Sequence, residues 1–157
     1  MKIALITAAA LLAFAGAAFA EPMKLTVNQA FSVSVGIDQL NKGATQIIKD
    51  GAKETQAQVP FALGPGFRVA LAVNASHISD AIGPAQRALK AAREKMAPGG
   101  GEPDAEARKA IDAEAEKIGE RVIEIDLTPI TEDQLALDKN PGISAATIQA
   151  LLPIFKK

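Results

Sequence analysis

Apolar side chains recur at alternating steps of four and three residues between positions 71 and 96, and this spacing constrains the fold most. The residues are Leu71, Ala75, Ile78, Ile82, Ala85, Leu89, Ala92 and Met96. Side chains with this spacing line one side of a helix and pack as in coiled coils. The pattern predicts a helix over residues 67–96, about 45 Å long. Pro84 cannot donate a hydrogen bond to the Asp80 carbonyl and clashes with it, so we expect a kink there.

A second amphipathic helix follows a glycine-rich tip at residues 98–101. Asp104 is placed to cap its first turn. Because the tip is short, the two helices are expected to fold back as an antiparallel hairpin over residues 67–120. The seam of this hairpin is predicted to consist of Leu71, Ala75, Ile78, Ile82, Ala85, Leu89, Ile111 and Ile118. Leu71, Ile78 and Ile82 have a second interpretation, as contacts with a small sheet or with another copy of the chain.

The two predicted helices carry opposite charge. Residues 87–95 contain four bases and one acid, a balance of +3. Residues 102–120 contain seven acids and three bases, a balance of −4. Opposite signs favour pairing of the helices, although each exposed ion pair contributes little free energy. The alternative is two independent, solvated helices.

The segment before this hairpin carries mixed signals. Residues 26–41 show both a strand-like alternation and a helical face, and the helix is the preferred interpretation. Thr26 and Gln29 have the spacing of a capping box, and Gly43 stands where a helix commonly ends. Two short strands, at residues 46–48 and 58–61, are expected around an Asp-Gly turn.

The segment after the hairpin begins with the clearest strand in the chain. Residues 122–128 alternate, which directs Ile123, Ile125 and Leu127 inward. Thr131 and Gln134 have capping-box spacing and predict a short helical turn. A C-terminal helix with Ser144 as its N-cap is expected to dock on the core through Ile143, Ile148, Leu151, Leu152 and Phe155. The fold predicted overall is α+β and mostly helical: a kinked antiparallel helical hairpin, a small β-sheet and a short C-terminal helix.

The first twenty residues have the organisation of a secretory signal peptide. A lysine precedes a long apolar run, and Ala18-Phe19-Ala20 has the form of a cleavage site. Cleavage there would leave residues 21–157 as one small domain, periplasmic or secreted and without stable membrane insertion. A membrane anchor is an alternative, since the run is nearly long enough to span a bilayer. A start of translation at Met23 is another, and it would make the protein cytoplasmic.

Composition excludes several kinds of chemistry. The chain has no cysteine and one histidine, so it lacks thiolate sites and histidine metal clusters. Its net charge of −1 and few aromatic residues argue against nucleic-acid binding. His77 lies three residues before Asp80, but no nucleophile accompanies the pair, so it is interpreted as an ordinary helix histidine. Glu124 and Asp126 share one strand face, which we interpret as a solvent face rather than a cation site. No enzyme activity, catalytic residue, metal or cofactor is predicted.

Four stretches together resemble a family of short, uncharacterised phage and prophage proteins. They are residues 23–29, residues 59–63 leading to 68–74, the strand at 122–127, and residues 140–143 with 150–154. The resemblance implies a small mixed domain that carries a helical hairpin, and it implies no activity.

The function expected from these features is that of a non-enzymatic interaction or assembly protein with an unidentified protein partner. A homo-oligomer is also expected to be possible, because the alanine-rich seam is narrow. The alternative is a periplasmic module that binds a small ligand or a divalent cation through Glu124, Asp126 and neighbouring loops.

Overall fold

The computed structural model describes residues 22–50, 53–98 and 101–156, and the predicted signal peptide at 1–20 lies outside these ranges. The predicted α+β, mostly helical fold is confirmed. In chain order the elements are β1 (Met23–Thr26), α1 (Val27–Lys42), β2 (Ala44–Asp50), β3 (Lys53–Val59), α2 (Pro65–Met96), α3 (Ala105–Gly119), β4 (Val122–Ile125) and α4 (Ala145–Leu151). Short 3-10 turns occupy Glu132–Leu135 and Leu152–Ile154.

Helix α1 begins and ends where its capping signals predict, so the helical interpretation of this segment is confirmed. The Gln29 backbone N–H donates to the Thr26 hydroxyl at 3.1 Å, and the Gln29 side chain accepts from the Thr26 N–H at 2.8 Å. The reciprocal pair satisfies donors that a helix start leaves free. Gly43 ends the helix with φ +80°, and a Cβ there would lie 2.2 Å from the Val59 carbonyl oxygen. Both facts require glycine at this position.

The core lies where α1 crosses α4 and the N-terminal half of α2. The apolar face of α1 is fully buried at Ala30, Val33, Ile37 and Leu40. Gly36 allows the close approach of α4, since a Cβ there would stand 3.0 Å from the Leu151 side chain. Burial of this apolar face contributes to the stability of the domain.

Helix α2 extends over 32 residues and continues through Pro84. Its extent matches the predicted helix to within two residues at the start. The bend predicted at Pro84 stays a prediction. Helix α3 follows after a short connection, and the Asp104 carboxylate accepts from the Ala107 N–H at 2.8 Å as its predicted N-cap.

The predicted strand after α3 is present but shorter than expected. Strand β4 ends at Ile125 and pairs antiparallel with β1, from Met23 opposite Ile125 to Thr26 opposite Val122. Ile125 and Leu127 are buried as predicted, and Ile123 is half-buried. Strand β1 was not predicted, because four residues are too few to show a period.

Strands β2 and β3 form a separate antiparallel ribbon, whose strands are longer than predicted. Seven residues of each strand pair in register, from Ala44 opposite Val59 to Asp50 opposite Lys53. Apart from the half-buried Ala44, Ala57 and Val59, all side chains of the two strands are exposed. The ribbon therefore projects from the domain instead of forming part of its core.

The C-terminal helix is confirmed, with one error in its predicted face. The Thr147 N–H donates to the Ser144 hydroxyl at 3.1 Å, which makes Ser144 the N-cap. Leu152 was predicted to dock, but it is 56% exposed, and Ile154 is fully buried instead. The α-helix ends at Leu151 and a 3-10 turn through Pro153 follows. This turn changes the angle between successive side chains and brings Ile154 inward.

Candidate functional site

The residues of the predicted seam separate into two groups in the structure. Leu71, Ile78 and Ile82 are buried in the main core with α1, and Ala75 packs against it. Their second interpretation named the small sheet, and Leu25 and Ile125 of the β1–β4 pair belong to the same core cluster as α1. Ala85 and Ile118 belong to a smaller cluster with Val27, and Leu89 packs against that cluster. Ile111 is half-buried on α3. Contact between α2 and α3 therefore begins near Ala85.

Beyond Ala85 the two helices continue as a projection that we call the helical arm, residues 86–96 of α2 and 105–117 of α3. Ile118, near the end of α3, packs with Ala85, in the middle of α2, so α3 runs back along α2. None of the described residues from 86 to 117 is buried. The part of α2 in the arm is about 16 Å long at 1.5 Å per residue. A helix pair of this length with no buried residue adds little to the core.

The charges of the arm are exposed and mostly unpaired. Arg87, Lys90, Arg93 and Lys95 all face solvent. Among the described residues, both ion pairs of the arm involve a base on α3. Arg108 pairs with Glu102 at 2.8 Å, and Lys117 pairs with Glu114 at 3.9 Å. No ion pair joins α2 to α3 within the same ranges, although the two helices pack antiparallel as the predicted hairpin requires.

Two bases and two acids lie on the same side of the arm, and we call them the mixed-charge face: Lys90, Arg93, Asp112 and Glu116. A groove of about 340 Å³ near the tip is lined by both Arg93 and Asp112, together with Ile111. Lys90 and Arg93 line a neighbouring groove. Glu116 follows Asp112 by four residues and so lies one turn along the same side of α3. Arg108 and Glu102 also line the first groove, and Glu94 also lines the second, so acids and bases are mixed on this side of the arm.

His77 has a structural partner other than the predicted one. Its Nδ1 contacts the carbonyl oxygen of Asp126, not the side chain of Asp80. One turn earlier, the fully buried Asn74 donates to the Thr128 carbonyl at 2.9 Å and accepts from the Thr128 N–H at 2.8 Å. The two side chains hold the segment after β4 against α2. His77 itself remains exposed.

Asn74 and a second buried asparagine were not identified from the sequence. Asn140 accepts from the Ala62 N–H at 2.7 Å and donates to the Leu135 carbonyl at 2.8 Å, which joins two loops. Asn74 lies three residues after Leu71 and four before Ile78, on the buried side of α2. A polar residue within an apolar helix face is the signal that could have identified it.

Of the carboxylates considered for cation binding, Glu124 lies beside a lysine of the neighbouring strand. The Glu124 carboxylate lies 3.4 Å from the Lys24 ammonium group across the β1–β4 pair. Within residues 22–50, 53–98 and 101–156, no group of three or more His, Asp or Glu side chains is arranged to hold a metal ion. In the same ranges no helix is both long and apolar enough to cross a membrane.

Comparison with protein-family models, curated proteins and solved structures finds no match for this chain.

Proposed function

We propose that this chain is a non-enzymatic interaction or assembly protein that is exported and that binds a protein partner through its helical arm. The observation that supports this proposal is the arm itself, which carries α2 and α3 past the core without burying any described residue between 86 and 117. Residues that stabilise a fold are usually buried, so an exposed, capped helix pair needs another explanation.

The composition of the arm agrees with a role in binding. Leu89, Met96 and Ile111 are half-buried and keep apolar surface available at the seam. They are surrounded by the exposed charges of the mixed-charge face. An apolar centre with a polar rim is the common organisation of protein interfaces.

Photo-crosslinking in the producing cell tests this proposal. The probe is a photoreactive amino acid in place of Gln86, an exposed residue at the base of the arm. Position 86 lies on the same side of α2 as Arg93, because seven residues make nearly two helical turns. The matched control carries the probe in place of Ser76, an exposed polar residue on α2 outside the arm. We expect a discrete adduct from position 86 and none of comparable yield from position 76.

A tip variant shows whether the adduct depends on the arm. Replacing residues 94–107 with a short glycine–serine turn removes no buried residue among those described, so the domain should keep its fold. Circular dichroism and the urea midpoint check that the domain remains folded. We expect the adduct from position 86 to be strongly reduced in this variant. An adduct of undiminished yield, or equal adducts from positions 76 and 86, would contradict the proposed function.

A further inference from the structure

The ribbon of β2 and β3 is a two-stranded sheet with a free edge on each side. Among the described strands, β2 pairs only with β3. An isolated two-stranded sheet is marginally stable in water, and a third strand or a covered face is what usually stabilises one. The ribbon also keeps two large β-branched side chains in solvent, since Ile47 is 60% and Ile48 49% exposed. Exposed edges of this kind are templates for pairing with another strand.

The register of the ribbon shows which backbone groups are available at the edge of β2. Asp50 and Lys53 close a two-residue connection, so their pair is of the hydrogen-bonded kind. Hydrogen-bonded and non-bonded pairs alternate along an antiparallel ladder. Thr45, Ile47 and Lys49 therefore fall in the non-bonded pairs and direct their N–H and C=O groups away from β3. These groups are available to an incoming strand.

A groove of about 290 Å³ opens at the start of β2. Of the ribbon, its lining includes Ala44 and Thr45 of β2 and no described residue of β3. Successive residues of a strand point to opposite faces, so a groove that is lined by both lies at the free edge. The edge of β2 is thus accessible down to its first residue. The other lining residues carry no charge: Gln39, Gly43, Phe61, Gly142, Ser144 and Thr147.

We propose that the strand added to this edge is β2 of a second copy of the chain, antiparallel about a twofold axis beside Ile47. This inference concerns a surface apart from the helical arm and goes beyond the proposed function. Ile47 of each copy faces Ile47 of the other, and Thr45 lies opposite Lys49. Every outward N–H and C=O of these residues then has a partner. The product is a closed dimer with a four-stranded sheet, in the order β3, β2, β2, β3.

The charges of β2 favour this arrangement of two copies. Lys49 and Asp50 are the only charged residues of the strand, and both lie at its end. Antiparallel pairing about Ile47 places them opposite the uncharged Thr45 and Ala44. Parallel pairing in register would instead place lysine beside lysine and aspartate beside aspartate, and like charges directly opposite destabilise a sheet. The charge pattern therefore selects the antiparallel dimer.

Two further features make β2 complementary to itself. The most exposed apolar side chain of the ribbon, Ile47, meets its own copy, and pairs of β-branched residues stabilise neighbouring strands. The same register brings Asp50, at the tip of one ribbon, beside Ala44 and the groove at the base of the other. The groove thus leaves room for the tip that this pairing delivers.

The outer edge of β3 does not offer the same complementarity. By the same alternation, its outward backbone groups belong to Glu54, Gln56 and Gln58. Pairing about Gln56 would bring no aliphatic or aromatic side chains of these residues together. We therefore assign the contact to β2. Because an edge contact is small, we expect a weak dimer that forms at submillimolar and dissociates at micromolar concentration.

Sedimentation equilibrium of protein purified from the producing cell tests the inference through substitutions at one position. Ile47→Glu and Ile47→Lys each place two like charges opposite one another at the twofold axis, and each should weaken the dimer about tenfold. An equimolar mixture of the two variants pairs glutamate with lysine and should form a heterodimer. Recovery in the mixture requires position 47 of one chain to meet position 47 of another. Gln56→Glu, opposite Ile47 on β3, is the matched control and should leave the dimer unchanged.

Proline substitutions test whether the contact is a backbone pairing. Ile47→Pro removes an N–H that points away from β3, so the ribbon should stay paired while the dimer weakens at least tenfold. Gln56→Pro makes the same change at the outer edge of β3 and should leave the dimer intact. Two-dimensional amide NMR spectra check that β2 and β3 remain paired in both variants.

A wild-type chain that stays monomeric up to millimolar concentration would overturn the inference. The same conclusion follows if the charged variants at position 47 dimerise like the wild type, if their mixture does not recover the dimer, or if changes at position 56 weaken it instead. A photoreactive probe at position 47 that captures only a different protein in the producing cell would overturn the second copy as the occupant of this edge. None of these results bears on the helical arm, which the probes at positions 76 and 86 test separately.

Discussion

Replacement of Asn74 by alanine should destabilise the domain by roughly 2 kcal/mol, although the residue lies far from the arm. Asn74 is fully buried and makes two hydrogen bonds, at 2.9 and 2.8 Å, with the backbone of Thr128. Each bond contributes about 1 kcal/mol net, and the cavity left by the amide costs roughly another 1 kcal/mol. The better helix propensity of alanine offsets roughly 0.6 kcal/mol of this loss.

The assay is urea denaturation followed by far-ultraviolet circular dichroism, because the chain has no tryptophan or tyrosine to report by fluorescence. All variants are compared at one protein concentration, since self-association would raise the apparent stability. Asn41→Ala is the matched control, as an exposed asparagine on α1. Its free energy of unfolding should change by less than about 0.5 kcal/mol.

An aspartate at position 74 provides a second, sharper comparison. Its carboxylate could still accept from the Thr128 N–H, but it would face the Thr128 carbonyl oxygen without a proton to donate. Burial of that charge should make Asn74→Asp less stable than Asn74→Ala at neutral pH. Acid pH protonates the carboxyl group and should narrow the difference from wild type. Equal urea midpoints for Asn74→Ala and Asn41→Ala would refute the assigned role of this side chain.

Three further substitutions test local features of the fold by the same urea denaturation assay. Gly43→Ala should lower the free energy of unfolding by about 3 kcal/mol, because φ is +80° and the new Cβ would lie 2.2 Å from the Val59 carbonyl oxygen. A decrease of less than about 1 kcal/mol would contradict this geometry. Thr26→Ala removes half of the capping box and should cost about 1 kcal/mol, and an unchanged midpoint would show that the cap is dispensable. Ile47→Thr should change stability by less than about 0.5 kcal/mol, since Ile47 is 60% exposed on the ribbon; a larger loss would mean that another surface covers the ribbon in solution.

Local signals predicted the helices well because their information lies within a few residues. The capping box at Thr26, the caps at Asp104 and Ser144, and the glycine at position 43 each fix one helix end through contacts three or four residues away. The four–three spacing on α2 predicted a long helix for the same reason. These features do not depend on the rest of the chain.

Tertiary partners were harder to predict, because the apolar spacing does not identify the surface that covers it. Leu71 and Ala85 have equivalent positions in the spacing, yet Leu71 enters the main core and Ala85 packs with Ile118 of α3. The shorter α3 cannot reach the first half of α2, so α1 and the β1–β4 pair cover that half. Strand β1 and the contacts of Asn74 and Asn140 depend on residues distant in sequence, and no local pattern indicates them.

The candidate site was predicted in part. The opposite charges of the two helices were evident from the sequence, and the predicted hairpin is present, although no ion pair joins α2 to α3 among the described residues. Which charged residues share one side of the arm depends on how the two helices are rotated relative to each other, and only the structure shows this rotation.

The most direct test of the central claim, that the helical arm is the contact surface, is the yield of photo-crosslinked adduct in the producing cell. We predict a discrete adduct from a probe at position 86, strongly reduced when residues 94–107 are replaced by a short turn. A probe at position 76, which is exposed on α2 outside the arm, should give no adduct of comparable yield. Equal adducts from the two positions, or an adduct from position 86 that does not depend on residues 94–107, would contradict the claim.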